Sequence, residues 1–357
     1  MRNNLQLYHK CLRQVCQWLP RERITRKRNL ALLVVGLYLS GAVHLPLIVR
    51  TWPTDAKAPS LVNRLHRFLS NPRLDPQLYY RPLAERLLYV FAGRTLLLVI
   101  DTTKVGFHHR ALVVGLAYRK RTLPLAWSVH PGSIGKVSIP KVIALLTLVY
   151  NMVPSNCQVE VTGDSDFNAT DLLWWLRKHD WHYVIRQRKE TYIRQTGTPW
   201  FPIAQIPIEP GQTSVIGWVW LAKTNPFGPT WLIIHWAKGE DKPWILVSDY
   251  TDTTPIIHIY RKRMWIEEMY GDMKGHGFDL ESTHLRATLR IERLMLGVCI
   301  AFVWLITLGS WVVKNGYRHF IDHKSRRDKS YFRLGWDWIE RCLRLDLPVR
   351  LHFRPYL

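Results

Sequence analysis

The feature that most restricts the fold is the apolar run TLLLVI at 95–100, which ends directly in Asp101. A continuous apolar stretch of this length is typical of a strand buried on both faces. Strand patterns at 111–118 and 122–129 follow, and the basic turn RKR between them indicates an antiparallel hairpin. The chain is therefore expected to build its core around a central sheet.

Helix and strand patterns alternate after this hairpin, which predicts parallel strands covered by helices. We therefore expect an α/β domain over residues 93–313. The alternating elements are a helix at 138–150, a strand at 158–162, a helix at 169–178 and a strand at 181–186.

The alternation breaks at about 189–250, where short strand patterns are separated by Gly, Pro and Asn turns. We interpret this segment as a β insertion within the α/β domain. Helical periodicity returns from about 256 to 273 and again from 288 to 313. The predicted strands of the insertion are 213–221, 231–237 and 243–248.

Residues 1–92 are basic and divided by prolines into short helical segments. One helix is predicted at 61–69, with Ser60 as its N-cap. Its polar side resembles the reading helix of a helix-turn-helix, although an amphipathic helix with a solvated polar face explains the pattern equally well. The candidate DNA-contacting residues on that side are Asn63, Arg64 and Arg67.

Basic residues outnumber acidic ones by 50 to 27, which gives a formal net charge of +23. Such a surplus, spread along the whole chain, predicts a polyanionic partner: nucleic acid or an anionic membrane surface. Residues 314–357 form a basic tail that is a candidate for contacts to DNA held by a second subunit, and a solvated tail is the simpler interpretation. The five cysteines lack paired spacing, which argues against a disulfide framework or a zinc ribbon and fits a reducing cytoplasm.

Two windows, 30–49 and 294–313, contain no Asp, Glu, Lys or Arg and are long enough to cross a bilayer. Gly36, His44 and Pro46 divide the first into two short helical pieces. The second is equally typical of a buried central helix in a large domain. A membrane protein with two spans therefore remains a competing interpretation.

Two acidic residues follow predicted strands, Asp101 after 95–100 and Asp164 after 158–162 and one glycine. Ligands of open α/β sheets bind where the carboxyl ends of strands meet, so these carboxylates can face one site. An aspartate after a strand is, however, more often a turn former or a helix cap.

A third acid comes from the predicted helix around 259–274. At 100° per residue, Tyr260, Arg263, Glu267 and Lys274 share an arc of about 60°, whereas Glu268 points elsewhere. An i,i+4 surface ion pair between Arg263 and Glu267 is the simpler explanation. Three carboxylates at one site would instead suit a pair of Mg²⁺ ions, which can promote phosphodiester displacement.

The spacing Tyr260-x2-Arg263-x3-Glu267-x6-Lys274 resembles the Tyr-x2-Arg-x3-Glu-x6-Lys signature of bacterial insertion-sequence transposases of the DDE type, the cut-and-paste group that forms hairpin ends. TLLLVID and VTGDSDF resemble the two Asp motifs of that family. The second motif has Ser165 where Asp-Arg-x-Phe is commoner, so either Asp164 or Asp166 can be the ligand, and Phe167 favours Asp164.

The resemblance covers about 94–313 and implies a ribonuclease-H-like core with a β insertion, preceded by a small helical DNA-binding region. It implies that Asp101, Asp164 and Glu267 bind two Mg²⁺ or Mn²⁺ ions. Tyr260, Arg263 and Lys274 would contact phosphates of double-stranded DNA at the inverted-repeat ends. An aromatic residue of the insertion would stack on a flipped base. The candidates for that aromatic residue are Trp236 and Trp244.

The implied activity is a DNA transposase of the bacterial cytoplasm, associated with the nucleoid and not with a membrane. Water nicks one strand, the freed 3′-hydroxyl attacks the opposite strand to form a hairpin, and the reopened end attacks target DNA. Two ends pair in a synaptic complex, commonly a dimer. The alternative is a catalytically inactive or cleavage-only DNA-binding relative, although all three acids are present here.

Overall fold

The computed structural model describes residues 2–132 and 135–357 as a mixed α/β protein. Its described strands form one sheet. They are β1 (Thr95–Val105), β2 (His109–Tyr118), β3 (Arg121–Pro131), β4 (Gln158–Gly163), β5 (His182–Arg186), β6 (Tyr192–Arg194), β7 (Phe201–Pro202), β8 (Thr213–Leu221), β9 (Phe227–His235) and β10 (Trp244–Ser248).

The sheet order is β3-β2-β1-β4-β5-β10-β9-β8-β6-β7. The neighbours β1, β4 and β5 run parallel, and the β1–β2–β3 meander is antiparallel. This arrangement confirms the predicted early hairpin followed by alternating elements. The insertion strands continue the same sheet, because β10 pairs directly with β5.

The described residues form eleven α-helices, of which α6 and α7 provide the crossovers that lead into the parallel strands β4 and β5. The helices are α1 (Arg2–Trp18), α2 (Ile24–Ser40), α3 (Leu45–Arg50), α4 (Ala58–Ser70), α5 (Pro76–Tyr89), α6 (Ile139–Tyr150), α7 (Thr170–Lys178), α8 (Thr253–Arg261), α9 (Met264–Met273), α10 (Thr288–Lys314) and α11 (Tyr331–Arg344).

Helix α10 is the centre of the hydrophobic core, and nearly every residue from Ile291 to Val312 is buried. Among the described helices it alone is long and apolar enough to cross a membrane, but 89% of its most apolar window is buried inside the protein. That burial is typical of a core helix. The other apolar window is divided between the two helices α2 and α3, as predicted.

Three sequence predictions need correction. Helix α4 begins at Ala58, so Ser60 lies inside it, and Lys57 is the N-cap residue without a side-chain capping bond. The single helix predicted at 256–273 is two helices, α8 and α9, separated at Lys262 and Arg263. The segment 314–357 is not a solvated tail, because α11 buries an apolar face that includes Phe332 and Ile339.

Candidate active site

Asp101 lies on β1, and Asp164 directly follows the adjacent parallel strand β4. The β1–β4 pairing ends with Ile100 opposite Gly163, so the two aspartates follow side by side. A Cβ on Gly163 would come 2.7 Å from the Ile100 side chain, which explains the glycine at this close approach. Asp101 does not end its strand as predicted, since β1 continues to Val105 along β2.

Helix α9 brings Glu267 to the same place. The hydroxyl of Tyr270, also on α9, donates to the backbone carbonyl of Asp101 at 3.1 Å and fixes the helix against β1. Glu268 points away and pairs with Arg121 at 3.0 Å. The structure therefore agrees with the helical-wheel preference for Glu267 over Glu268, although the helix begins only at Met264.

The three acids line one open cavity of about 460 Å³ together with three basic side chains. Lys274 contributes from the end of α9 and forms an ion pair with Glu281 at 2.9 Å. Arg186, at the end of β5, was not predicted, although its position at a parallel strand end next to β4 is the signal that identified the aspartates. The lining residues are Asp101, Thr102, Thr103, Asp164, Ser165, Arg186, Arg263, Glu267, Tyr270, Gly271 and Lys274.

Arg263 joins two of the acids. Its Nη2 donates to Oε1 of Glu267 at 2.7 Å, and its Nη1 lies 3.7 Å from Oδ2 of Asp101. The guanidinium thus occupies the space between Asp101 and Glu267, and only 12% of its side chain is exposed. The pairing is not the simple surface i,i+4 contact that the sequence also allowed.

Negative charge is crowded at the strand ends. Burial raises the pKa of Asp101 to about 7, and the nearby carboxylates of Asp164 and Glu267 add to the effect, against the opposing charge of Arg263. Burial also raises the pKa of Asp164, and the charge of Asp166 raises it further. A bound cation would relieve this repulsion, because it favours the ionised form of both groups.

Asp166 lies outside this cavity. Its Oδ1 contacts Nη2 of Arg188 at 2.9 Å and Nζ of Lys136 at 3.5 Å, so its charge is already paired. Asp164 instead faces the cavity while one of its oxygens accepts from the backbone N–H of Asp166 at 2.9 Å. The position of Asp164 matches the alternative that Phe167 favoured.

The donor set fits a hard divalent cation. Three carboxylates at the rim of a polar cavity are the oxygen ligands that Mg²⁺ and Mn²⁺ prefer. Within the described ranges, no three His, Cys, Asp or Glu side chains already form a closed metal-binding group. At Asp101 and Glu267 the guanidinium of Arg263 lies within ion-pair distance of both carboxylates and serves as their counter-charge.

The remaining candidate DNA contacts, one tyrosine and two tryptophans, lie at different distances from the cavity. Tyr260 is buried beneath Trp244, whose ring centroid is 5.0 Å from its own, and the Tyr260 hydroxyl has no hydrogen-bond partner among the described residues. Trp244 is therefore one side chain removed from Arg263, which lies 5.8 Å from the Tyr260 ring. Trp236 donates its indole N–H to Glu240 in a turn.

The N-terminal candidates also differ from one another. Asn63 and Arg67 are exposed on α4. Arg64 instead donates to Oδ1 of Asn29 at 2.8 Å and lies over the ring of Trp52, so its guanidinium is engaged within the protein.

A larger cavity of about 660 Å³ lies between α1, α5 and the C-terminal segment. Glu85 is the sole acid among the described residues that line it, and that carboxylate is paired with Arg81 at 2.6 Å. Size therefore does not identify the reactive centre, whereas the grouping of three carboxylates does.

Substitution of Asp101 by Asn is expected to stabilise the metal-free protein. The pKa of Asp101 is about 7 in the folded chain and 3.8 when exposed, so its contribution to stability is greatest below about pH 4 and is lost as the pH rises through 7. At pH 8 the variant should gain ~2 kcal/mol in free energy of unfolding, and the gain should fall towards pH 4. Urea unfolding with chelator at both pH values measures this, with Asp166→Asn as the control that should show no gain.

Comparison with known proteins gives a family match. Residues 98–304 match the family described as the transposase DDE domain. A solved structure, the cryo-EM structure of the piggyBac transposase synaptic complex with hairpin DNA, is similar at 12% identity with a TM-score of 0.47, covering 96% of this chain and 83% of that one. No curated protein matches the chain. Since the family match spans more than half of the 357 residues and includes both strand-end aspartates and Glu267, the chain belongs to the DDE-domain transposases.

Proposed function

We propose that this transposase cleaves DNA at the ends of its element and joins the ends to target DNA through Asp101, Asp164 and Glu267. The observation that carries the proposal is that these acids, distant in sequence, line one cavity with Arg186, Arg263 and Lys274. A cavity that combines three carboxylates with three basic side chains suits a phosphodiester bound together with divalent cations. The three antiparallel strands followed by two parallel strands support a ribonuclease-H-like core.

In this proposal Asp101, Asp164 and Glu267 hold two Mg²⁺ or Mn²⁺ ions. When bound, these ions supply positive charge that favours both the attacking and the leaving oxygen of the phosphodiester. The raised pKa of Asp101 and Asp164 supports this role, because both carboxylates lie where an added cation is favourable.

The basic side chains would hold the DNA. Lys274 and Arg186 face the cavity and can contact phosphate oxygens, while Arg263 can exchange its carboxylate partners for a phosphate. Trp244, packed on Tyr260, is the better-placed of the two tryptophans for stacking on an unpaired base. This arrangement supports assignment to the hairpin-forming group with the Tyr-x2-Arg-x3-Glu-x6-Lys signature.

The same proposal places the protein on double-stranded DNA in the bacterial cytoplasm, associated with the nucleoid, with two copies pairing two ends. The helical region 1–92 would add contacts to the duplex beyond the cleaved end. An inactive or cleavage-only relative is the alternative, and it is distinguished by its reaction products.

The direct test is to incubate the purified protein with Mg²⁺ and linear DNA that carries the inverted repeats flanking the gene. Denaturing gels should show nicked strands, then hairpin ends, and finally joined products when target DNA is added. Chelation by EDTA should stop all three. Binding without any nicking would support the inactive alternative, and nicking without joining would support the cleavage-only one.

Replacement of Lys274 by Ala should weaken binding of the inverted-repeat duplex and flatten its salt dependence. Loss of one phosphate contact lowers the slope of log K against log salt by ~0.9. Fluorescence anisotropy across a salt series measures the slope. Glu281→Gln is the matched control: it removes the ion-pair partner of Lys274 and should leave binding equal or tighter. An unchanged slope in Lys274→Ala would remove Lys274 from the DNA interface.

A further inference from the structure

A basic cleft, separate from the active-site cavity, lies between α4 and the first turns of α10. The two helices are locked together by Arg293, a buried residue of α10. Its guanidinium donates to the backbone carbonyls of Leu69 and Leu74 at 3.0 and 2.9 Å. A buried arginine held by two carbonyls fixes the polar side of α4 relative to α10, because breaking those bonds would leave a charge uncompensated.

The cleft has a volume of about 640 Å³ and is lined entirely by polar and basic side chains. Arg67 comes from α4 and Arg290 from α10, and neither belongs to an ion pair among the described residues. Burial and the charge of Arg290 lower the pKa of His66, which favours its neutral imidazole, so the positive charge of the cleft comes from the two arginines. The lining residues are Ser60, Asn63, His66, Arg67, Ser70 and Arg290.

This donor set suits one kind of ligand. Two guanidinium groups, an imidazole, an amide and the Ser60 hydroxyl can donate hydrogen bonds, whereas the Ser70 hydroxyl already donates to the backbone carbonyl of His66 at 2.7 Å. No carboxylate among the described lining residues opposes an anion. Arginine and short polar side chains are the usual contacts to phosphate oxygens of DNA. The cleft is therefore complementary to a phosphodiester backbone.

The cleft also lies at the same end of the sheet as the acids. Thr288, the first residue of α10, has its hydroxyl 3.1 Å from His109, and His109 pairs with Val105 at the end of β1. Val105 is four residues beyond Asp101, which corresponds to ~13 Å along a strand. Arg290 is two residues further along α10, so the acids and the cleft are separated by on the order of 20 Å, less than one turn of B-DNA.

We propose that the cleft between α4 and α10 binds the phosphate backbone of the same duplex whose end enters the active site. This inference rests on the proposed function and adds to it a defined second contact, shared between the N-terminal helices and the catalytic core. It assigns Arg67, His66 and Arg290 to that contact and excludes Arg64, which is held by Asn29. The position of α4 would then determine how far from the cleaved end the protein contacts the duplex.

The test compares binding to two inverted-repeat duplexes: one of about 4 base pairs closed by a hairpin loop, which is ~14 Å long and too short to reach the cleft, and one of about 30 base pairs. Arg67→Ala and Arg290→Ala should each weaken binding of the long duplex about fivefold and lower its salt slope by ~0.9, with little change for the short duplex. Arg67→Lys retains the charge and should recover the slope. Arg81→Ala, on the exposed side of α5, is the control for loss of one positive charge.

The outcomes separate this inference from the proposed function. Suppose that the wild-type protein cleaves the inverted-repeat duplex, while Arg67→Ala and Arg290→Ala keep the wild-type affinity and salt slope. That result would overturn the assignment of the cleft to DNA binding and leave the proposed function intact. An equal loss of affinity in Arg81→Ala would also overturn the inference, since the effect would then come from the net charge of the protein and not from the cleft. Wild-type protein that neither binds nor cleaves would overturn both. Because Arg67 is exposed on α4, its variants are expected to fold normally, which circular dichroism checks.

Discussion

Substitution of Asp101 by Asn, Asp164 by Asn or Glu267 by Gln is expected to reduce strand cleavage by at least ~10³-fold, equivalent to ~4 kcal/mol or more of barrier. Each amide keeps the size of the side chain and removes the negative charge that a divalent ion needs. In the Asp164→Asn variant the amide oxygen can still accept from the backbone N–H of Asp166, so the local turn should persist. Binding of the inverted-repeat duplex should remain close to that of the wild type.

The chain supplies two matched controls for this prediction. Glu268 is the next residue on α9, yet it pairs with Arg121 away from the cavity. Asp166 is two residues beyond Asp164, yet Arg188 and Lys136 hold its carboxylate. Glu268→Gln and Asp166→Asn should therefore retain cleavage. If a control variant lost cleavage while the variant of its neighbour, Glu267 or Asp164, retained it, the metal-ligand role would belong to the control residue instead.

The measurement is a single-turnover cleavage assay on end-labelled duplex in the presence of Mg²⁺, with binding measured in Ca²⁺ on the same samples. A variant that loses cleavage and binding together would indicate a damaged fold and not a missing ligand. Thermal unfolding separates the two cases, since Asp101→Asn is expected to be more stable than the wild type above pH 7.

Much of the central sheet could be predicted because its strands are continuous apolar runs with short turns. The predicted strand at 213–221 coincides with β8, and the apolar run before Asp101 is the buried part of β1. The two aspartates were found because parallel strands place their carboxyl ends together. Arg186 follows the same rule, but an arginine at the end of a strand carries no acidic signal, so the sequence alone does not single it out.

The features that the sequence did not predict depend on tertiary contacts. The break between α8 and α9 falls among good helix formers, and Arg263 keeps helical backbone angles there. Its side chain pairs with Glu267, as the i,i+4 spacing allows, but it also reaches Asp101, a partner that no local pattern reveals. In α4, Lys57 precedes the helix without a capping side chain, so the usual start signal pointed to Ser60 instead.

Helix α11 was not predicted, because its segment is rich in basic residues. Basic clusters such as KSRR at 324–327, with further arginines within α11, give the segment the composition of a basic tail, although Phe332, Ile339 and other apolar residues recur at helical spacing along it. The basic residues occupy the outer face, and the apolar face is buried against α10. The charged residues of such a helix indicate only its exposed face, whereas the spacing of its apolar residues indicates whether the helix packs against the core.

A single methyl group at this contact should therefore be strongly destabilising. A Cβ on Gly335 of α11 would lie 2.0 Å from the backbone carbonyl oxygen of Leu305 in α10, and the reciprocal position, Gly309, would bring a Cβ 1.8 Å from the carbonyl oxygen of Tyr331. Both obstacles are backbone atoms, so the helices must separate. Gly335→Ala is expected to lower the free energy of unfolding by ~3 kcal/mol, even though alanine favours a helix by up to ~1 kcal/mol.

Urea unfolding of Gly335→Ala tests this, with Glu340→Ala on the exposed face of the same helix as the control, expected to lie within ~0.5 kcal/mol of the wild type. Equal stability of the two variants would mean that α11 does not cross α10 at these glycines. The expected loss has a functional consequence, because α10 carries both Arg290 and the buried Arg293 that holds α4. Separation of α11 from α10 should therefore weaken DNA binding at the α4 cleft before it alters Asp101 or Asp164, whose positions depend on the pairing of β1 with β4.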